Sequence, residues 1–360
     1  MNQTVGIGII GTGFARKVQI PAFLACKNVS IASIASGSID NARSAASEFS
    51  VGHFTADWRE TVARPDVDLV CITTPPNLHL EMALEALRSG KHVLCEKPMA
   101  MNVAEATEMA RAAAGKPLLA LIDHELRFQP GRQKVFEMLR EGAIGRVRHA
   151  KFSFQSPQRA DPSVPWNWWS DAAAGGGALG AIASHIIDSF RWFLGTEIAS
   201  ISCQLHTHVK QRTDRSGVER PVTSDDESNM LLRFKEGGVT SDATGLVSVS
   251  MAENPKYTNR LELYGALGAI RIGAIGDAEI VMNGEPDWRA IESEIGGLIL
   301  GMPDSAFSRG FVRFAPRIVD SIRNDGAPIE HAATFEDGLM VQRVLDAARE
   351  SDLTGRAVRL

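Results

Sequence analysis

Lys91-His92-Val93-Leu94-Cys95-Glu96-Lys97-Pro98-Met99 is the stretch on which the fold turns. Lys91 to Cys95 reads as a short buried parallel strand, and the Glu-Lys-Pro that follows ends it. Asn102 and Glu105 then stand three apart, the spacing of an N-cap and its capping-box partner, so a helix is expected to start there. A Glu-Lys pair is therefore placed where a strand gives way to a crossover. In open parallel α/β sheets that is where ligands sit. Pro98 fixes its own φ and biases Lys97 towards extended geometry, which holds the ammonium in place. A lysine so held can hydrogen-bond a hydroxyl, and its pKa falls if it is desolvated. The same pair also reads as an ordinary solvated ion pair at a strand end.

Upstream, Val5 to Ile10 reads as the first strand and Gly11-Thr12-Gly13-Phe14-Ala15-Arg16 as the turn into a helix that runs towards Cys26. A dinucleotide turn uses its first glycine to bend, its second to admit a pyrophosphate, and its third to pack helix on strand. Gly11 and Gly13 satisfy the first two and Arg16 stands at the third, with Phe14 and Ala15 lining the turn. Phosphates would lie on the amides at the helix start. The second strand, Val29 to Ala35, ends in Ser36-Gly37-Ser38. A carboxylate there would select NAD and an arginine NADP; the sequence offers neither. Arg16 and Arg43 are the nearest cations, which tilts the expectation slightly towards NADP.

A helix at Asn41 to Phe49, then Thr55-Ala56-Asp57-Trp58 and Arg59 to Ala63, lead to the buried strand Val67 to Thr73. Thr74-Pro75-Pro76-Asn77-Leu78-His79 stops it, because two prolines cannot continue a ladder. Thr73, Thr74, Pro75, Asn77 and His79 are thus candidate cofactor contacts in the same crevice as Glu96 and Lys97. His79 reads equally well as a helix-start residue with a satisfied ring. Helices at Glu81 to Ser89 and Val103 to Ala114 and a strand at Leu118 to Ile122 complete a βαβα alternation over residues 1–123. That alternation calls for a doubly wound parallel sheet, a Rossmann dinucleotide-binding domain.

Beyond residue 123 the texture changes. A helix at Gly131 to Glu141 precedes strands at Val147 to Gln155, Ile198 to His206, Asn229 to Phe234, Val239 to Val249 and Arg260 to Tyr264. Lys235-Glu236-Gly237-Gly238 is a hairpin turn between two of them. Residues 124–360 are expected to form a second α/β domain with a large, mostly antiparallel open sheet, one face under helices and the other offered to a partner subunit. The polar stretch Val209 to Ser228 is expected to loop out. Amphipathic helices at 311–324 and 335–350 close the chain, the latter expected to pack back on the first domain.

Of the 360 residues, 44% are apolar and 22% charged, which describes a globular chain with room for two cores. A net charge of −5 without a long basic run argues against nucleic acid or an anionic membrane as partner. Cys26, Cys71, Cys95 and Cys203 are widely spaced in apolar segments, a pattern of buried free thiols rather than of a zinc or disulfide framework. No apolar run approaches the roughly 18 residues of a membrane span. The N-terminal residues lead into a strand without a signal-peptide pattern, so the expected location is the cytoplasm.

The second informative stretch is Trp166-Asn167-Trp168-Trp169-Ser170-Asp171, then Gly175-Gly176-Gly177-Ala178-Leu179-Gly180, then a helix with Ser184, His185 and Asp188. Consecutive glycines before a helix permit close approach of backbone and ligand. His185 and Asp188 share a helix face. Taken with Gly11-Thr12-Gly13-Phe14, Thr74-Pro75-Pro76-Asn77-Leu78-His79, Glu96-Lys97-Pro98 and Arg127-Phe128-Gln129-Pro130, in this order, the chain resembles the Gfo/Idh/MocA family of NAD(P)-dependent oxidoreductases over essentially its whole length. The resemblance implies hydride transfer between nicotinamide and a carbon of a sugar, inositol or related polyol, in a homodimer or homotetramer built through the second sheet. It implies Lys97 as the catalytic lysine, Glu96 as a cofactor-ribose contact and His185 as the proton-accepting histidine. Many members carry an Asp four residues before that histidine. Here the position is Ala181, which leaves Asp188 or a water to orient His185. Trp166, Trp168 and Trp169 could wall a sugar ring, or simply pack, and His124 and Arg127 could read its hydroxyls. No metal is expected. Two other readings stay open: an NAD-dependent glycosidase that oxidises its sugar transiently, and a dinucleotide-sensing protein without catalysis.

Overall fold

β1 (Val5–Ile10), β2 (Val29–Ala35), β3 (Phe54–Thr55), β4 (Leu69–Ile72), β5 (His92–Cys95) and β6 (Ala120–Ile122) pair in parallel in the order β3-β2-β1-β4-β5-β6. The short strand Ala333–Thr334 adds antiparallel to the β6 edge and makes seven. The computed structural model describes residues 4–253 and 257–360. It divides into two units, Met1–Gln129 with Gly296–Leu339, and Pro130–Ile295 with Met340–Leu360.

In the first unit β1 and β4 are buried along their whole length, which is why their sequences are unbroken apolar runs. Strand order reverses between β1 and β4, so the crevice of a doubly wound sheet opens beyond Ile10 and Ile72. The expected capping box forms: Asn102 Oδ1 accepts from the Glu105 N–H at 3.0 Å, and Glu105 Oε2 from the Met101 N–H at 3.0 Å. The helix anticipated at 311–324 runs Ala306–Arg323, started by Ser305, whose Oγ accepts from Ser308 N at 3.1 Å. It belongs to this unit and not to the one that follows residue 123. The physical reason is aromatic: Phe311 meets Phe23 edge-on at 5.4 Å and Phe314 stacks on Phe128 at 4.1 Å.

The second unit is built on nine strands: β7 (Val147–Gln155), β8 (Ile198–His206), β11 (Glu227–Phe234), β12 (Thr240–Ser250), β13 (Thr258–Gly265), β14 (Gly268–Ile272), β15 (Ala278–Met282), β16 (Arg289–Ala290) and the C-terminal Val358–Arg359. Among the described residues of this sheet, only β7 and β12 pair in parallel. Ala150, Phe152 and Phe154 of β7 point into the core with Phe190 and Phe193 of the helix Ser184–Leu194. On the opposite face Leu231 and Leu246, cross-strand partners, stay 61% and 40% exposed. Residues 209–228 do not simply loop out. β9 (Gln211–Thr213) and β10 (Glu219–Pro221) form a hairpin there, because Asp214 at its turn accepts from Ser216, Val218 and Arg220. Among the described residues, no helix is long and apolar enough to cross a membrane, and no group of three His, Cys, Asp or Glu side chains is arranged to hold a metal ion.

Candidate active site

The chemistry-bearing residues form one cluster in each unit. In the first, β1 delivers Gly11 at φ +99°, a backbone conformation that side chains resist. Its N–H donates to Ala35 O at 2.8 Å, and Thr73 Oγ1 donates to Gly11 O at 2.8 Å and to Ile10 O at 3.1 Å. The two strands at the switch point are thereby stitched together at their ends. Gly13 is exposed, and a Cβ there would meet nothing within 4 Å. Phe14 leads into a wide i→i+5 turn, Ala15–Gln19, then the helix Ile20–Leu24. Such π-turns recur at functional sites. Ser36 is half-buried and Gly37 exposed at the end of β2, and Ser38 caps the next helix through the Asn41 N–H. Arg16 is ion-paired to Glu48, and Arg43 to Asp40 at 2.7 Å.

Lys97 follows β5, next to β4 in the sheet, and the Lys97–Pro98 peptide is cis. Beneath it lies a carboxyl pair. Gln19 Nε2 donates to Glu96 Oε1 at 3.2 Å and to Asp123 Oδ2 at 2.7 Å. Burial pushes the Asp123 carboxyl well above the usual range, and the nearby Glu125 and Glu96 push it further. Burial also raises Glu96, against the pull of the Lys97 ammonium. Two carboxyls in such surroundings hold a proton between them. Sequence reasoning found Glu96 but not Gln19 or Asp123; an acidic residue straight after a buried strand was the available signal.

Thr74, Pro75 and Asn77 line the turn after β4, with Asn77 exposed. His79 turns inward and is fully buried. Its Nε2 lies 2.9 Å from Thr74 O and its Nδ1 3.2 Å from Pro98 O, and burial lowers its pKa. The ring is a staple between the β4 turn and the Lys97 turn, so its part in the site is to hold backbone. His124 is buried at the end of β6. Arg127 is buried too, with Nη1 donating to His331 O at 3.3 Å and Nη2 3.4 Å from Asp337.

In the second unit, Asn167 and Asp171 cap two consecutive short turns, the first carrying Trp168 and Trp169 and the second Ala172 to Ala174. Trp166 is committed to the β9–β10 hairpin: its Nε1 donates to Pro221 O at 3.0 Å and Arg220 lies over its ring at 5.4 Å. Trp169 sits under Arg159 at 5.5 Å, while Trp168 is 38% exposed. Gly176 is pressed against Trp169 O, leaving no room for a side chain. Gly177, at φ +120°, leads into a second π-turn, Leu179–Ala183, and then the helix Ser184–Leu194. That helix carries His185 and Asp188, each 2% exposed, and Ala181 lies one turn before His185. Asp225 accepts from Leu179 N–H at 2.7 Å, a contact no sequence motif announced.

A parallel sheet in this order, with a Gly-x-Gly turn at its switch point, defines a Rossmann-type dinucleotide-binding fold. Residues 5–124 match the oxidoreductase family with an NAD-binding Rossmann fold and residues 132–271 match the GFO/IDH/MocA C-terminal domain, and the chain belongs to the Gfo/Idh/MocA family. Levoglucosan dehydrogenase of Pseudarthrobacter phenanthrenivorans is 32% identical over 74% of this chain and 73% of that protein. Glucose-fructose oxidoreductase domain-containing protein 2 of Homo sapiens is 27% identical over 99% and 93%. A solved levoglucosan dehydrogenase in complex with NADH and levoglucosan superposes with a TM-score of 0.87, at 28% identity over 99% of both chains.

Proposed function

We propose that this oxidoreductase oxidises or forms a carbinol of a sugar or polyol, with NAD as its cofactor. The observation that carries the reading is the junction of Gly11, Gly13 and Thr73 at the switch point, in the sheet whose neighbouring strand delivers Lys97. The relative of 0.87 TM-score that holds NADH and levoglucosan supports it. The residues present fit a dinucleotide: the open space at Gly13 admits a pyrophosphate, and the first turn of the helix that follows offers amides to it. Glu96 is the candidate ribose contact. The nearby guanidiniums of Arg16 and Arg43 are already neutralised by Glu48 and Asp40, which favours NAD over a cofactor with an added phosphate.

When bound, nicotinamide supplies the hydride acceptor or donor. Lys97 donates a hydrogen bond to the reacting oxygen and offsets the charge that develops on it. His185 takes the hydroxyl proton. Asp188, on the same helix face, orients the imidazole in place of the carboxylate that Ala181 lacks. Trp168 offers an apolar wall to the ring of the substrate. The exposed sheet face is the candidate interface with a second copy, since its central row reads Leu231, Leu246, Lys151, Glu262, Arg271, Glu279, an apolar pair followed by alternating charges.

The test is a screen of pyranoses, inositols, linear polyols and aryl glycosides with NAD and NADP, following nicotinamide absorbance. Net NADH formation from a free sugar or polyol is expected. Aglycone release without net cofactor turnover would replace the reading with a glycosidase, and failure to bind either dinucleotide would remove it.

A further inference from the structure

The helix that carries His185 begins without a cap of its own. Gly175, Gly176, Gly177 and Ala178 have no side chain able to accept from the first amides, and no side-chain bond from Ala178 closes the turn. Unpaired first-turn N–H groups are costly where water is excluded. Here they are met from another part of the unit. Asp225 O accepts from Ala178 N–H at 3.0 Å, and Asp225 Oδ2 from Leu179 N–H at 2.7 Å. The carboxylate lies so close over Gly177 that a Cβ at that position would run into Oδ1. Glycine and aspartate therefore specify one another.

Asp225 is itself fixed on both sides. Thr223 N–H donates to Ser170 O at 2.9 Å, Thr223 Oγ1 accepts from Ala172 N–H at 2.9 Å, and Ser224 Oγ donates to Trp169 O at 2.7 Å. Asp226 accepts from His208 N–H at 2.9 Å through Oδ1 and from Met251 N–H at 2.8 Å through its carbonyl. Four consecutive residues thus join the tryptophan turn, the helix start and the ends of β8 and β12.

We propose that Asp225 is a positioning residue for His185: its carboxylate and carbonyl cap the helix that bears the imidazole, and Thr223 and Ser224 tie that cap to the Trp168–Trp169 turn. The proposal deepens the functional reading and rests on His185 as the proton acceptor. Burial pushes the Asp225 carboxyl up to about 6, with the Leu179 N–H and Arg349 pulling it down and Asp226 pushing it up. Asp225 in turn helps to raise the Cys203 thiol, after the larger effect of that thiol's burial. Above pH about 6 the ionised Asp225 carboxylate bears the cost of its burial, and protonation below it favours the closed cap over an opened one in which Asp225 is hydrated.

Hydrogen–deuterium exchange of the peptide spanning residues 175–190, in the protein without ligand, tests the cap directly. Asp225→Ala is expected to exchange faster there by on the order of tenfold. Asp225→Asn, which keeps an acceptor oxygen, should match wild type at pH 7.5. Wild type, after correction for intrinsic rates, should gain protection as pH falls through about 6, and the Asn variant should not. Turnover is read with levoglucosan and NAD as probes: the Ala variant should lose kcat by on the order of tenfold, with KM for NAD held within about twofold. Unchanged exchange in Asp225→Ala overturns the proposal. Should that variant fail to fold, an Asn variant with the same pH profile of exchange as wild type overturns it. Faster exchange with unchanged kcat would keep the cap but overturn its role in positioning His185; a His185→Ala variant with wild-type kcat would instead overturn the functional reading, so the two failures are told apart.

Discussion

Gly11→Ala and Gly13→Ala separate the two tasks of the dinucleotide turn, stability and ligand approach. At Gly11 an added Cβ would lie 2.5 Å from Thr73 O, 2.6 Å from its carbonyl carbon and 2.7 Å from its Oγ1. None of these atoms can retreat, since Thr73 is bonded to Ile10 and Gly11 through both N–H and Oγ1. The positive φ adds about 1–3 kcal/mol of backbone strain, and forcing the extra carbon into packed surroundings adds about 1–3 kcal/mol. The sum, about 2–6 kcal/mol, is a large part of the 5–15 kcal/mol typical of a domain. Gly13 has open space and no positive φ, so its alanine variant should hold its stability within about 0.5 kcal/mol. Its Cβ would nonetheless project where a pyrophosphate must approach. Denaturant unfolding and NADH fluorescence titration of both variants are the assays. Gly11→Ala should unfold at clearly lower denaturant; Gly13→Ala should unfold like wild type and bind NADH at least about tenfold more weakly. Wild-type affinity in Gly13→Ala would place the pyrophosphate elsewhere, and a wild-type midpoint in Gly11→Ala would refute the packing argument.

Three further outcomes are expected. Lys97→Ala should lower kcat by about 10²–10⁴ while leaving the NAD dissociation constant nearly intact; unchanged turnover of a substrate from the screen removes Lys97 from the chemistry. Asp123→Asn bears on the buried carboxyl pair. Because Asp123 and Glu96 hold their protons to higher pH when folded, wild type is most stable in acid and loses stability as pH rises from the unfolded carboxyl range through the raised folded values. Thermal melts at pH 5 and pH 8.5 should show a smaller fall for the Asn variant, and equal falls would mean the pair does not share a proton. Leu231→Glu, on the free sheet face, should convert a multimer to monomer in light scattering at matched concentration, whereas a wild-type monomer would leave that face without a partner copy.

The sheet and its crevice were legible because buried parallel strands leave unbroken apolar runs, and because Gly11, Pro75 and Pro98 punctuate their ends. The capping box at Asn102 and Glu105 was legible for the same local reason. Three things were not. The helix Ala306–Arg323 packs on Phe23 and Phe128, a long-range contact to which no local pattern is tied. The inward turn of His79 depends on two carbonyls, Thr74 O and Pro98 O, that only the folded chain brings together. The strap at Thr223–Asp226 read as a polar loop because side chains that bond backbone carry the same composition as side chains that bond water.

The two clusters share a construction that explains why their motifs specify so little alone. Each places a stretch of small residues before a π-turn and a helix: Gly11 to Gly13 in one, Gly175 to Ala178 in the other. Residues without bulk let a ligand reach the backbone, but they cannot brace it. Bracing therefore comes from a separate strand or loop, Thr73 over Gly11 and Asp225 over Gly177, each so close that a Cβ on the glycine would collide with it. The glycine pattern marks where a ligand can approach; the bonded neighbour decides how stiffly that approach is held. A variant in the neighbour should then alter turnover or binding without touching a motif residue, which makes Thr73 and Asp225 sharper probes of these sites than the glycines that first drew attention to them.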